Sequence, residues 1–203
     1  MSPEILPPIS ALRRITQSLA MLDAIICPEW EYRYYSFNSQ WGPGEEMASM
    51  RNGSGDDWFL LFDSAGAAIK GFAHELNDDP ALAQNIQAQV PPDFASFLNE
   101  PAFSMQNATF CYWRKSTDTA WTKVKSTLSE DGTEMLELIV SGPMGYKTWA
   151  EDYYELSVSL DAVEALFSHQ PLDESLVLAL NPDADLNMVL ADANEIGYPH
   201  ISS

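Results

Sequence analysis

Basic residues are scarce in this chain, which has 10 Lys and Arg residues against 30 Asp and Glu residues and a formal net charge of −20 at pH 7. A field of that sign repels phosphate backbones, so we expect no nucleic-acid partner. The basic residues are also confined to one part of the chain, because all of them lie between Arg13 and Lys147. From Thr148 onward the sequence has Asp and Glu residues but no Lys or Arg.

Cysteine and long apolar runs are nearly absent as well. The 2 cysteines, Cys27 and Cys111, lie far apart in the sequence. No run approaches the roughly 18 uncharged apolar residues of a membrane-spanning helix, and no apolar run follows a basic start at the N-terminus. We therefore expect a cytoplasmic protein with free thiols and no contact with a membrane.

Familiar catalytic and cofactor motifs are missing too. The Gly-Ser-Gly at residues 53–55 lacks the third glycine of a dinucleotide loop and the Gly-Lys-Ser/Thr end of a phosphate loop. The chain has no Gly-x-Ser-x-Gly elbow. Asp183 and Asp185 begin an EF-hand spacing, but Met188 stands where that loop needs Gly. His and Cys show no paired zinc-ligand spacing. We predict no catalytic residue, no metal and no cofactor.

The residues that are present predict a folded domain built on a β-meander. Hydrophobic residues make up 46% of the 203 positions, which is enough for one domain with a substantial core. Within residues 29–75, short aromatic and apolar runs are separated by Gly-containing turns, the pattern of antiparallel hairpins. The first run begins at Trp30, and its alternation leaves open which face is buried. Trp58 to Phe62 is continuously apolar, which predicts a central strand buried on both faces.

The remaining segments predict helices around that sheet. Residues 1–28 have apolar positions at three- and four-residue spacing, so we expect an N-terminal helix with Ser10 as its cap and Pro28 at its end. Residues 76–107 predict a helical connection that crosses one edge of the sheet. Residues 108–141 predict a second strand group, including a strand at Glu134–Val140. Residues 146–198 predict C-terminal helices.

This order of elements predicts a single α+β domain over residues 1–203. We expect an antiparallel sheet of about six or seven strands, with the N-terminal helix packed on it and a C-terminal helical group. The sequence leaves open whether the two strand groups join in one sheet.

One candidate site lies in the meander. An aromatic pocket with basic groups and a titrating histidine would suit a small ligand or a reaction. His74 stands next to Glu75, but adjacent residues of a strand point to opposite faces, so a merely packed or surface His74 is the alternative. The ligand-binding candidates are Tyr32, Arg33, Tyr34, Arg51, Trp58 and His74.

A second candidate site is the acidic C-terminal part of the chain. Its charge favours an electrostatic surface for a basic protein partner. A solvated surface that only keeps the protein soluble is the alternative. The partner-binding candidates are Glu151, Asp152, Glu155, Asp161 and Glu164.

Two resemblances bear on function. With GAAIKGFAHE at residues 66–75 and NEPAF at residues 99–103 as its most specific blocks, about three quarters of the chain resembles a family of bacterial proteins of this length with no assigned activity. PPDFASFL at residues 91–98, with the acidic α+β character, is similar to the SMI1/KNR4 superfamily, many bacterial members of which are immunity proteins that neutralise toxins. In that superfamily the proline-led helix precedes the main strands, whereas here the meander comes first.

These observations favour a bacterial, non-enzymatic, acidic protein-binding domain. The resemblance to the SMI1/KNR4 superfamily implies an immunity-like role and supplies no catalytic residue. The alternative is a small-ligand-binding protein or an enzyme with an aromatic pocket on the sheet near His74. A self-associating scaffold is a third hypothesis.

Overall fold

A six-stranded antiparallel sheet forms the centre of the fold, and its strands lie in chain order from β1 to β6. The computed structural model describes residues 6–76 and 80–201. The two predicted strand groups join in one sheet, because β4 pairs with β5 along the register Gly66↔Lys115 to Gly71↔Phe110. The predicted α+β class is confirmed. The strands are β1 (Tyr35–Gly42), β2 (Glu45–Arg51), β3 (Asp57–Phe62), β4 (Gly66–Phe72), β5 (Phe110–Lys115) and β6 (Thr122–Lys123).

Seven α-helices surround the sheet in the described ranges, and short 3-10 turns lie among them. None of these helices is long and apolar enough to cross a membrane. Both cysteines are free and buried. The helices are α1 (Ile9–Ile26), α2 (Pro80–Gln87), α3 (Ala95–Asn99), α4 (Glu137–Tyr153), α5 (Leu160–Phe167), α6 (Glu174–Leu180) and α7 (Leu186–Ile196).

The predicted hairpin turns form as the glycines indicate. Gly42 pairs with Glu45, so Pro43 and Gly44 occupy the two central positions of the turn between β1 and β2. Gly44 has a φ of 77°, the positive value that a type II turn requires after a proline. The hairpins hold β3 in the middle of the sheet, where Trp58 and Leu60 face one core and Phe59 and Leu61 face the other.

The larger core lies between the first face of the sheet and the helices α1 and α4 to α7. Tyr35 and Phe37 point into it, which settles the face of β1 that the sequence left open. Helix α1 is buried on nearly all sides, and the buried Gln17 donates a 3.0 Å hydrogen bond to the carbonyl oxygen of Ile196. The predicted cap at Ser10 is wrong, since the helix begins at Ile9 with Pro8 before it.

The second core covers the opposite face of the sheet. Phe94, Phe97 and Phe103 of the segment after β4 pack there with Phe59 and Leu61. In the described part of residues 76–107 the predicted helical connection is present, but it covers a face of the sheet where the sequence predicted that it crosses one edge. A central strand that is apolar on both sides needs cover on both faces, and this segment provides the second cover.

The first strand starts later than its aromatic pattern predicts. Trp30–Tyr32 form a 3-10 turn, and β1 begins at Tyr35. The reason lies in Arg33, whose guanidinium donates hydrogen bonds of 2.9 and 3.0 Å to the carbonyl oxygens of Cys27 and Pro28. These bonds fold the segment back against the end of α1.

The strand predicted at Glu134–Val140 is also wrong. Thr133–Leu136 form a 3-10 turn that runs into α4. Leu136 and Ile139 are both buried, and their three-residue spacing fits a helix as well as the apolar content fits a strand. Gly142, with a φ of 70°, breaks α4 just before Pro143. Tyr146 and Tyr153 therefore belong to the second part of the helix.

Candidate functional site

A cleft of about 550 Å³ opens between the 3-10 turn Trp30–Tyr32, the adjoining ends of β1 and β2, and the end of α4. Tyr32, Arg33, Tyr34 and Arg51 of the predicted ligand site all line it. Volumes of this size are typical of sites that take a side chain or a small molecule. The cleft is thus the place where most of the predicted site comes together.

The other two predicted ligand-binding residues lie elsewhere. Trp58 is completely buried, with its ring centroid 6.1 Å from that of Tyr35, and does not line the cleft. His74 lies in a separate depression of about 510 Å³. Strand β3 has a core on each of its faces, so every residue after Asp57 is buried. Trp58 therefore lies in the core and not in the cleft.

Exposed aromatic rings form much of the lining of the cleft. Trp30, Tyr32 and Tyr153 are 55%, 64% and 40% exposed. Tyr153 packs on Tyr34 with ring centroids 5.2 Å apart, and on Tyr154 with ring planes at 88°. Sequence reasoning placed Tyr153 and Tyr154 in a helix and did not assign them to a site. In YKTWAEDYYE, residues 146–155, both tyrosines stand next to polar and charged residues, and this pattern is the sequence signal that could have indicated a binding site.

Some charged groups of the cleft are paired with opposite charges of the fold, and others are not. Arg33 makes two 2.9 Å hydrogen bonds to the carboxylate of Asp192, and its side chain is only 7% exposed. It is therefore a structural cation. Arg51 lies with its guanidinium carbon 4.9 Å above the ring of Trp30, and it forms no ion pair with any residue in the described ranges. Glu31 and Glu155 line the same cleft, and both are exposed.

Beneath the cleft a buried carboxyl group holds the neighbouring tyrosines. Asp23 accepts 2.7 Å hydrogen bonds from the backbone N–H of Tyr35 and from the hydroxyl of Tyr146. Burial raises the pKa of the Asp23 carboxyl to about 6, and its hydrogen bonds, among them one with the Tyr154 side chain, oppose that rise. Burial also raises the pKa of Tyr34 to about 12, so this hydroxyl stays neutral near pH 7. An Asp inside the apolar run MLDAII was the only sequence signal for this role.

His74 forms a pair with Asp56 at the far end of β4. Its Nδ1 lies 2.7 Å from the Asp56 carboxylate, which also accepts a 2.9 Å bond from the His74 backbone N–H. Burial raises the pKa of Asp56, but these bonds and one from Asn52 outweigh it and leave the pKa lowered. Glu75 is 85% exposed in its side chain and reaches the ring only at 3.9 Å. Over the ranges that the structure describes, no group of three or more potential ligands is placed to hold a metal ion.

The predicted partner-binding acids fall into two groups. Glu151 is used within the fold, because it pairs with Lys147 and accepts a hydrogen bond from the backbone N–H of Val158. Asp152, Glu155, Asp161 and Glu164 are exposed. Asp161 and Glu164 are three residues apart in α5 and so lie on one side of that helix.

Comparison of the chain with models of known protein families, with curated proteins and with solved structures finds no match. The bacterial-family and SMI1/KNR4 resemblances stay predictions.

Proposed function

We propose that this chain is a non-enzymatic protein-binding domain that recognises a basic partner through the acidic surface formed by Asp152, Asp161 and Glu164, together with Glu155 at its border with the cleft. One observation carries the proposal. These exposed acids form no ion pair with any residue that the structure describes, whereas Arg13, Arg33, Lys70, Lys115, Lys123 and Lys147 are each paired with an acid of the same chain.

This distribution of charge favours association with a cationic surface. Because most of the basic side chains are neutralised by pairs within the fold, the field outside the C-terminal helices is negative. A field of this kind speeds the encounter with a partner of opposite charge, and salt screens it over a Debye length of about 8 Å at physiological ionic strength. Fast association that slows as salt rises is the expected signature.

The resemblance of residues 91–98 to the SMI1/KNR4 superfamily supports an immunity-like form of this role. In that form the protein acts in the bacterial cytoplasm, and the partner is a toxin with a basic surface. The PPDFASFL segment itself packs against the second face of the sheet, with Phe94 and Phe97 buried. Its contribution is therefore to the fold, and the binding role is assigned to the acidic surface.

The experiment compares two variants that lose the same charge at different places. Asp152→Asn, Asp161→Asn and Glu164→Gln neutralise the proposed surface, and Glu155 is left intact. Glu130→Gln, Glu134→Gln and Glu137→Gln, all at exposed positions before or at the start of α4, are the matched control. Partners are captured from bacterial lysate and identified by mass spectrometry. Association rates are then measured by surface plasmon resonance at about 50 mM and about 300 mM NaCl.

We expect one basic partner whose association rate at low salt falls about tenfold for the surface variant and stays within about twofold for the control. Equal losses for both variants would reduce the effect to net charge, and the proposed surface would be wrong. Failure to capture any basic protein at low salt would also overturn the proposal.

A further inference from the structure

Three exposed rings converge on the cleft beside the acidic surface. Trp30, Tyr32 and Tyr153 line it from the turn before β1 and from the end of α4. Aromatic rings of this size usually bury much of their area in a folded chain, and exposed clusters of them mark contact sites. Aromatic residues that fill or form a central pocket also dominate the energetics of protein interfaces.

The charges of the cleft select the chemistry of an occupant. Glu31 and Glu155 are exposed carboxylates in its lining. The C-terminal end of α4 lies in the same wall, and a helix C-terminus carries a partial negative charge. Arg33 is neutralised by Asp192. Rings with carboxylates beside them bind cations, because the π-face and the carboxylates both attract positive charge.

The chain itself already places a cation on one of these rings. Arg51 lies over Trp30 at 4.9 Å. Glu155 has a φ of 53°, a left-handed conformation that favours glycine, at a position after the helix end where glycine is usual. A carboxylate therefore stands at the cleft where local backbone preference favours glycine.

We infer that the cleft is the anchor site for one Lys or Arg side chain of the basic partner. This inference rests on the proposed function and adds a place and a chemistry to it. The acidic surface attracts the partner, and the cleft holds one of its cations between the carboxylates of Glu31 and Glu155 and the rings of Trp30 and Tyr153. The two regions adjoin, since Glu155 lines the cleft and lies two residues after the end of α4, where Asp152 stands in the last turn.

Arg51 has the opposite effect on such an occupant. Its guanidinium covers one face of Trp30 and repels a second cation in the same cleft. Arg51→Met removes that charge and keeps a long apolar side chain over the ring. The variant should therefore bind a cation more tightly, whereas an anion would lose its main attraction.

The first test uses small probes and needs no identified partner. The indole N–H signal of Trp30, assigned by its loss in Trp30→Phe, is followed by NMR during titration with N-acetyl-arginine amide. N-acetyl-citrulline amide is the neutral probe of similar shape, and N-acetyl-glutamate amide is the anionic probe. We expect a saturable shift with the arginine probe alone. The affinity should fall about threefold or more in Glu155→Gln and rise about threefold in Arg51→Met.

Several results would overturn this inference. Saturation with the glutamate probe, or lost binding in Arg51→Met, would make the cleft an anion site. Equal binding of the citrulline probe would make it a site for neutral planar groups. No shift of the Trp30 signal at any probe concentration would remove the cleft as a cation site.

The second test separates this inference from the proposed function. With the captured partner, Trp30→Ala and Glu155→Gln should raise the dissociation rate about tenfold and leave the association rate within about twofold, because an anchor acts after the encounter. The surface variant with Asp152, Asp161 and Glu164 neutralised should change mainly the association rate. If a partner is captured but its dissociation rate is unchanged in both cleft variants, the anchor role is wrong and the proposed function stands. Arginine-probe binding without any captured partner overturns the proposed function and leaves the cation chemistry of the cleft standing.

Discussion

The hydroxyl of Tyr146 donates a 2.7 Å hydrogen bond to the carboxyl group of Asp23, and both side chains are completely buried although 123 residues separate them. The same carboxyl group accepts a bond from the backbone N–H of Tyr35. Asp23 therefore joins α1, the outer edge of β1 and the second part of α4 at one point. This junction positions the end of α4, which forms one wall of the cleft.

The buried carboxyl should make stability depend on pH. The unfolded chain releases the Asp23 proton near pH 4, while the folded chain holds it to about pH 6. The contribution of the protonated group is thus fully present below about pH 4 and is lost as the pH rises to about 6. Between those values the wild type should lose about 3 kcal/mol of unfolding free energy relative to Asp23→Asn. Urea unfolding of both proteins at several pH values measures the difference.

Tyr146→Phe provides the control for this linkage. Removing the hydroxyl takes away a bond that favours the ionised carboxylate, so the pKa of Asp23 should rise and the decline should extend to higher pH. Parallel stability curves for the wild type and Asp23→Asn would show that Asp23 does not titrate differently in the folded chain.

An ion pair between a buried lysine and a partly exposed aspartate should respond unequally to loss of its two partners. Lys70 is completely buried, pairs with Asp57 at 2.6 Å and has the rings of Phe59 and Phe72 each 5.5 Å away. Asp57→Ala leaves a buried ammonium without its carboxylate and should cost about 3 kcal/mol. Lys70→Met should cost about 1 kcal/mol or less, because Asp57 is partly exposed and can be solvated. Chemical denaturation measures both, and equal costs would contradict the argument.

An added methyl group at Gly71 should destabilise the fold, because the sheet has no room for it. A Cβ there would lie 2.0 Å from ring atoms of the buried Phe110, on the strand paired with β4. Gly71→Ala should therefore cost about 3 kcal/mol, since a packed ring must move. Gly42→Ala is the control, because its Cβ would meet only the flexible end of Glu45 at 2.5 Å. Thermal melts of the two variants should differ clearly, and similar melting temperatures would refute the packing argument.

Two acidic residues at the starts of C-terminal helices should contribute unequally to stability, because only one of them is a helix cap. Asp185 accepts hydrogen bonds of 2.9 and 3.3 Å from the backbone N–H groups of Asn187 and Met188 at the start of α7. Asp185→Ala should cost about 1 kcal/mol. Asp161 lies in the first turn of α5, where Ser159 is the cap, so Asp161→Asn should cost only about 0.3 kcal/mol. Denaturation midpoints test the pair, and a larger loss for Asp161→Asn would reverse the assignment.

Local sequence alone determined much of this molecule. Gly-containing turns marked the hairpins of β1 to β4, and the apolar run Trp58 to Phe62 marked a central strand. Apolar spacing marked α1 and the helices of the C-terminal group. Turn chemistry and side-chain period act over a few residues, and such signals are therefore readable in one dimension. The excess of acidic residues after Thr148 is likewise a property of the sequence.

The tertiary structure decided which of those residues meet. Trp30 and Trp58 are both tryptophans of the meander, yet one lines the cleft and the other is buried, because Arg33 turns the first segment back onto α1. The run from Glu134 to Val140 is helical, since packing of Leu136 and Ile139 overrides a pattern that fits either element. The Asp23–Tyr146 bond and the packing of Tyr153 on Tyr34 at the cleft join distant parts of the chain. Contacts of that kind have no spacing in the sequence, and only the packing of α1 and α4 on the sheet brings them about.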